Sequence, residues 1–348
     1  MMQFRALGSL VLLLVASSFA LATACNKAES SSAAGASPQA SEGPKVAFLL
    51  STLQEERYKK DQRYFEELAK SQKLSAFTLS ADNDNARQLS QVEDALSRGA
   101  KVLVIQPTDS AAAAGYVSKA HAKGAKVVAY DRSIPGADFY VAHDSHHVGE
   151  LQATEAVKAH PKGNYVILSG QSGHSVASEI TRGYRETLKP FIDKGEIKVV
   201  LEKSHDAWSP EQALKSVEDA ISKTKGDIVA ILANNSGMAR GAVQAVQAAN
   251  LGSKGIFIAG ADADAANVNY VCEGKQSVEV LKDIKPLAEK AASVAAALAK
   301  GQTVEAKTDV SGVPVVAVQV LLISSASVKP LLIDSGFHPA SALPACPK

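Results

Sequence analysis

Cysteine, tryptophan and net charge are all scarce in this 348-residue chain, which holds three cysteines, one tryptophan, and 37 basic against 36 acidic side chains. A formal charge of +1 supplies no long-range pull toward nucleic acid or an acidic membrane. No G-x-x-x-x-G-K-[ST] run occurs, so the chain binds no nucleotide phosphate by that route and cannot power transport in that way. His143, His146 and His147 cluster without a cysteine or a spaced carboxylate set to complete a metal site, and read as surface residues at a helix start. Gly170-Gln171-Ser172-Gly173-His174 approaches the G-x-S-x-G nucleophile elbow, but ends in histidine where the tight turn needs glycine. No enzyme activity, cofactor or metal is expected.

Long apolar runs are missing except at the start. Arg5 provides a positive beginning, Leu7 to Leu21 is almost wholly apolar, and Ala22-Thr23-Ala24-Cys25 closes the segment with small residues. This run is too short for a permanent membrane helix and has the three-part layout of an export signal over residues 1–24. Two endings are open: lipidation of Cys25, which is favoured, or ordinary cleavage after Ala22-Thr23-Ala24. Leu21 sits one place earlier than a lipoprotein site usually has it. Lys27 to Pro44 is mostly Ala, Ser, Gly, Pro and Glu and has no large apolar side chain, so residues 25–44 read as an anchor and a flexible leash. The remaining cysteines, Cys272 and Cys346, can pair in an oxidising compartment or stay as two buried thiols; the bond is preferred because it would hold the C-terminal tail.

From Lys45 onward, 300 or so residues show a regular pattern. Short apolar, β-branched runs at Val46–Leu50, Val102–Ile105, Val127–Tyr130, Tyr165–Leu168, Lys198–Leu201, Ile228–Leu232, Ile256–Ala259 and Ser277–Leu281 alternate with amphipathic stretches such as Arg57–Ala69, Ala86–Arg98 and Pro210–Thr224. Strand–helix alternation predicts α/β architecture with parallel sheets covered on both faces, and two sheets suit this length better than one. Ser209-Pro210-Glu211-Gln212 supplies a cap, a proline at the first helical position and a glutamine at the third.

Open α/β sheets bind ligands at the carboxyl ends of their strands. Those ends carry Asp131 and Arg132, Asn234 and Asn235, Asp262, and Lys282, with the sole tryptophan, Trp208, just past another strand. Any one of these is as readily a turn residue, a cap or plain core as a ligand contact. Their repetition over several strands favours a polyhydroxylated ligand. Each sugar hydroxyl both donates and accepts, and an aromatic face covers the C–H side of a ring.

The segments Glu56-Arg57-Tyr58-Lys59-Lys60-Asp61, Ala129-Tyr130-Asp131-Arg132, Val148-Gly149-Glu150-Leu151-Gln152-Ala153, Leu188-Lys189-Pro190, Trp208-Ser209-Pro210-Glu211 and Gly260-Ala261-Asp262-Ala263-Asp264 resemble, in order from about Lys45 to Gly301, the bacterial periplasmic sugar-binding proteins of ABC importers, and within them the D-xylose-binding branch. The resemblance implies the periplasmic binding protein type I fold: two doubly wound parallel-sheet lobes joined by a three-strand hinge, here residues 45–143 plus 284–310 and residues 144–283 plus 311–348. It implies a monosaccharide such as D-xylose held by Arg57, Asp131, Arg132, Asn235, Asp262 and Lys282, with Trp208 and Tyr58 on the two ring faces. It also implies a monomer that serves an ABC permease in the inner membrane, or alternatively a chemoreceptor or sensor kinase. DNA binding, as in sugar-responsive repressors of this fold, is excluded because an export signal stands where their helix-turn-helix would be. One loop departs from the branch: His174 and Val176 fall where its members carry Asp and Asn. His174 is placed in the site, and the lost polar contacts open the way to another pentose or a hexose.

Overall fold

A parallel strand can rejoin its sheet only through a crossover, and the helical stretches of this chain supply one between most strands. The computed structural model describes residues 43–306, 308–310 and 312–347, so the export segment, Cys25 and most of the leash lie outside the described residues. The first run is β1 (Lys45–Leu50), α1 (Glu56–Ser71), β2 (Ser75–Ser80), α2 (Asn85–Ser97), β3 (Val102–Ile105), α3 (Ala114–Ala122), β4 (Lys126–Tyr130) and β5 (Phe139–His143). The second is α4 (Ser145–Ala159), β6 (Gly163–Ser169), α5 (Ser175–Asp193), β7 (Ile197–Ser204), α6 (Pro210–Thr224), β8 (Ala230–Ala233), α7 (Ser236–Ala248), β9 (Phe257–Ala261), α8 (Ala265–Cys272) and β10 (Val278–Lys282). Then follow α9 (Ile284–Ala299), β11 (Thr308–Val310), β12 (Val313–Val318) and β13 (Val320–Ile323).

Two sheets result, ordered β11-β12-β5-β4-β3-β1-β2 and β13-β10-β9-β8-β6-β7. Among the described strands, β11 with β12 and β10 with β13, each pair at one edge of its sheet, are antiparallel and the others parallel. The first sheet is sandwiched between two apolar clusters, one containing Phe48, Phe65, Tyr130 and the α9 alanines, the other containing Leu49, Leu103, Ile105 and Ile134. A third cluster, around Tyr165, Ile167, Tyr184, Leu232 and Ile258, forms the core of the second sheet. Helix starts use the expected chemistry: Ser209 Oγ accepts the Gln212 N–H, and Asn235 and Asp144 likewise cap α7 and α4. In the second lobe α4 and α5 touch backbone to backbone. A Cβ on Gly149 would lie 2.1 Å from the Ile180 carbonyl oxygen, so only glycine permits this crossing.

Among the described residues the chain passes between the sheets three times, at Asp144, Asp283 and Gln319. The third passage lies later than the domain division at residues 310 and 311. β12 hydrogen-bonds to β5 with Val315 opposite Tyr140, so residues 311–348 do not all belong to the second lobe: β12 extends the first sheet and β13 edges the second. His143 is buried and not at the surface. Its Nε2 donates to the Asp283 carbonyl oxygen at 3.0 Å, joining the first two passages. β2, β5, α5 and α8 were not anticipated; β2 is half-exposed along its length and shows no alternation to detect. Residues 324–347 pack against the second lobe around Val328, Leu332 and Leu343, where a disulfide joins Cys272 to Cys346.

Candidate functional site

The carboxyl ends of both sheets face a common narrow cavity, lined by Glu55, Arg57, Tyr58, Asp131 and Arg132 from the first lobe and Val176, Trp208, Asp262 and Lys282 from the second. It adjoins a wider cleft that shares Glu55, Arg57, Trp208 and Asp262 and adds Asn235, Arg240 and Asp264. Seven of the nine residues anticipated for the site therefore line the inner cavity, and Asn235 stands at its mouth with its amide oxygen occupied by the Met238 N–H.

The first-lobe side of the cavity is an ion-pair network. Arg57, in the first turn of α1, lies 3.3 Å from Asp131 and 3.4 Å from Asp61, and reaches across to Asp262 of the other lobe at 3.5 Å. Burial opposes the Arg57 charge, but Asp131 and Asp61 more than offset it and the guanidinium is held protonated. Burial alone would raise the Asp131 carboxyl. Arg57, Lys282 and Arg132 together outweigh burial and hold it well below the usual carboxylate range. Asp61, bonded to the Tyr130 hydroxyl, goes the other way: its burial wins and its pKa rises. Gln106 Nε2 donates to Asp131 at 3.3 Å, and Arg132 is fixed by the Pro107 carbonyl at 2.8 Å and the Tyr58 hydroxyl at 3.2 Å. Asp131 itself has φ 61°, a left-handed turn that ends β4.

The second-lobe side is set by bent backbone with supports behind it. Trp208 has φ 56° in a single 3-10 turn after β7, and its ring covers Gly170, where a Cβ would come within 2.5 Å of the indole. Asp262 has φ 101° at the end of β9 and meets the Lys282 ammonium at 2.7 Å. The Nε atoms of Arg57 and Arg132 are buried with no hydrogen-bond partner among the described residues. Two donors kept dry in this way suit a polar ligand.

His174 does not line the cavity, contrary to its anticipated ligand contact. It stands behind the indole, buried, with both ring nitrogens engaged. A carbonyl only accepts, so Nε2 donates to Thr108 O at 2.6 Å, and Nδ1 accepts the Trp208 Nε1–H at 2.8 Å. Burial, followed by the nearby Arg132, pushes its pKa down to about 3, consistent with a neutral ring. Neither nitrogen is left to activate Ser172, which is exposed. The apolar Val176 faces the cavity two residues on.

Glu55 was missed. It precedes α1 and touches both cavity and cleft, and burial raises its pKa to about 7 against the opposing pull of Arg132. In the sequence it is one of two consecutive glutamates before a helix, a position that reads as favourable first-turn charge. Asp61 and Gln106, which hold the network from behind, gave no separate signal. The lobes also meet directly beside the site: the Ser133 N–H donates to Ser175 Oγ at 2.8 Å and the Ser110 N–H to Gly173 O at 3.1 Å. Among the described residues no group of three or more His, Cys, Asp or Glu forms a metal-type cluster, and no helix is long and apolar enough to cross a membrane.

A family described as "Periplasmic binding protein domain" matches residues 46–303. The D-xylose-binding periplasmic protein of Escherichia coli is 37% identical over 305 residues, covering 86% of this chain and 92% of that protein. Its namesake from Haemophilus influenzae is 35% identical over 300 residues, covering 84% and 90%. Among solved structures, a carbohydrate transporter solute binding protein from Chloroflexus aurantiacus in complex with D-glucose superposes with a TM-score of 0.78 at 30% identity, covering 85% of this chain and 97% of that one.

Proposed function

This chain belongs to the periplasmic binding protein family, and on that premise we propose that it is the sugar-binding component of an ABC-type importer, holding one monosaccharide between its lobes and presenting the closed form to an inner-membrane permease. The observation that carries this reading is the meeting of Arg57, Asp131 and Arg132 with Asp262, Lys282 and Trp208 around one cavity. Neither lobe alone offers a sugar enough partners. Its contacts are complete only when both are engaged, so binding energy shifts the population toward closure. The first lobe takes residues 45–143 and 284–318 and the second takes 144–283 and 320–347, with Asp144, Asp283 and Gln319 as the hinge.

In this reading Tyr58 and Trp208 flank the ring, the carboxylates of Asp131 and Asp262 accept from its hydroxyls, and Arg132 and Lys282 donate to them. The names of the two D-xylose-binding relatives support a pentose. Val176, with the D-glucose complex of the Chloroflexus neighbour, supports a hexose as the competing ligand. The protein works as an exported monomer without catalysis, tethered through Cys25. Thermal-shift screening of the purified protein against common pentoses and hexoses is expected to show one or a few neutral sugars raising the melting temperature, with the sugar recovered unchanged. No stabilisation by any of them, or conversion of the sugar, contradicts the proposal.

A further inference from the structure

Asp262 presents its carboxylate from a backbone that residues with a Cβ rarely adopt, φ 101° at Asp262 and 57° at Ala263. Something must hold that bend. The Asp262 N–H is taken by the Val280 carbonyl of β10 at 2.9 Å, as a regular strand would do. The Ala263 N–H donates to the buried carboxyl of Glu279 at 3.0 Å. The Ala263 carbonyl accepts from His338 Nε2 at 2.7 Å. Both peptide groups flanking Ala263 are therefore pinned by side chains, and one of the two comes from the C-terminal segment, 75 residues away in sequence.

That segment is built to stay in place. His338 is buried, and its own N–H donates to the Leu332 carbonyl at 2.9 Å. Leu332, Val328, Leu343 and Cys346 share an apolar cluster with Ala263 and Leu281, the immediate neighbours of Asp262 and Lys282. The disulfide from Cys346 to Cys272, and the Asn269 side chain between the Ala342 carbonyl and the Ala345 N–H, fasten its far end to α8. Next to His338, the Phe337 ring lies 5.1 Å from the Lys60 ammonium of α1, so the same segment also reaches the first lobe.

We propose that His338 is a positioning residue for the Asp262 carboxylate, and that the C-terminal segment is thereby part of the binding site although it lines none of the cavity. The role for Asp262 rests on the sugar reading given above. The geometry of the strut does not, and the two are tested apart. In the sugar-free protein, amide hydrogen exchange across residues 261–265 is expected to quicken about tenfold in His338→Ala, in line with loss of one buried hydrogen bond, and to be largely restored in His338→Gln, which keeps a donor. Exchange there unchanged in His338→Ala overturns the proposal. Should His338→Ala not fold, Cys272→Ser with Cys346→Ser, which unfastens the segment, is expected to quicken the same amides, and no change overturns it equally.

Calorimetry with D-xylose and D-glucose then reads the link to the ligand. His338→Ala is expected to weaken binding about tenfold in the wild-type background and to add little once Asp262→Asn is present. An equal loss in both backgrounds, or a quickened loop with unchanged affinity, shows that His338 does not act through Asp262. A wild type that takes up neither sugar contradicts the site reading alone, and the exchange data still decide the strut.

Discussion

The two sides of the cleft reach the same end by different means. On the first lobe, charged groups hold one another: Arg57 is shared by Asp131, Asp61 and Asp262, and Tyr130 and Gln106 complete the set. On the second, Trp208 and Asp262 reach the cavity from left-handed backbone steadied from behind by His174, Glu279 and His338, and Asp262 alone is also ion-paired, to Lys282 and Arg57. A mutually paired set ties stability to function, because removing one member strands a buried charge. A propped neutral side chain such as the Trp208 indole can be loosened without stranding a charge. The first-lobe rim therefore belongs to the fold as much as to the site, and the Trp208 side of the second-lobe rim is where contacts can change without unpairing a buried charge.

Substitutions can break this contrast. Asp131→Ala carries the largest expected effect, at least about 100-fold weaker sugar binding together with about 3 kcal/mol of lost stability, since it deprives buried Arg57 of its main counter-charge. Calorimetry and denaturant melts measure the two losses, and affinity lost at undiminished stability would erase the difference between the lobes. Trp208→Phe keeps an aromatic face but removes the N–H given to His174; an affinity loss of about tenfold with a melt close to wild type is expected. His174→Ala, which removes the acceptor for the indole and the ring's contacts with the Thr108 carbonyl and Arg132, is expected to weaken binding by a similar or smaller factor, and a complete loss would return His174 to direct ligand contact.

The smallest effect is in pH. Glu55 keeps its proton to about pH 7 in the folded chain against an ordinary value of 4.5, because burial disfavours its charge. Between those values the folded state binds more protons than the unfolded one, so this group's contribution to stability falls as pH rises through the window. Urea melts of Glu55→Gln are expected to lose that part of the decline, and an identical slope in both proteins would mean that Glu55 titrates normally.

Much of this was legible because apolar runs ending in charge mark strand ends. Asp131, Arg132, Asp262 and Lys282 were found in that way and share one cavity. Arg57 and Tyr58 were not found so, since a helix start gives no hint that its first turn points into a cleft; only the resemblance to sugar-binding proteins singled them out. His174 was misread because position in a loop does not tell which way a ring faces, and here the indole claims one nitrogen. The division at residues 310 and 311 put β12 with the wrong sheet, because apolar residues alternating from Val313 to Leu322 suit the edge of either one. Glu55 and His338 stayed hidden for a shared reason: what each does depends on segments distant in the chain coming to rest against it.

The central claim is that one sugar is grasped from both sides. Diffraction from crystals grown with D-xylose, or with the sugar that screening selects, tests it most directly. The account predicts a single ring between Tyr58 and Trp208, with hydroxyls bonded to Asp131 and Arg132 on one side and to Asp262 and Lys282 on the other. A sugar lying outside this cavity, or touching only one lobe, would contradict it.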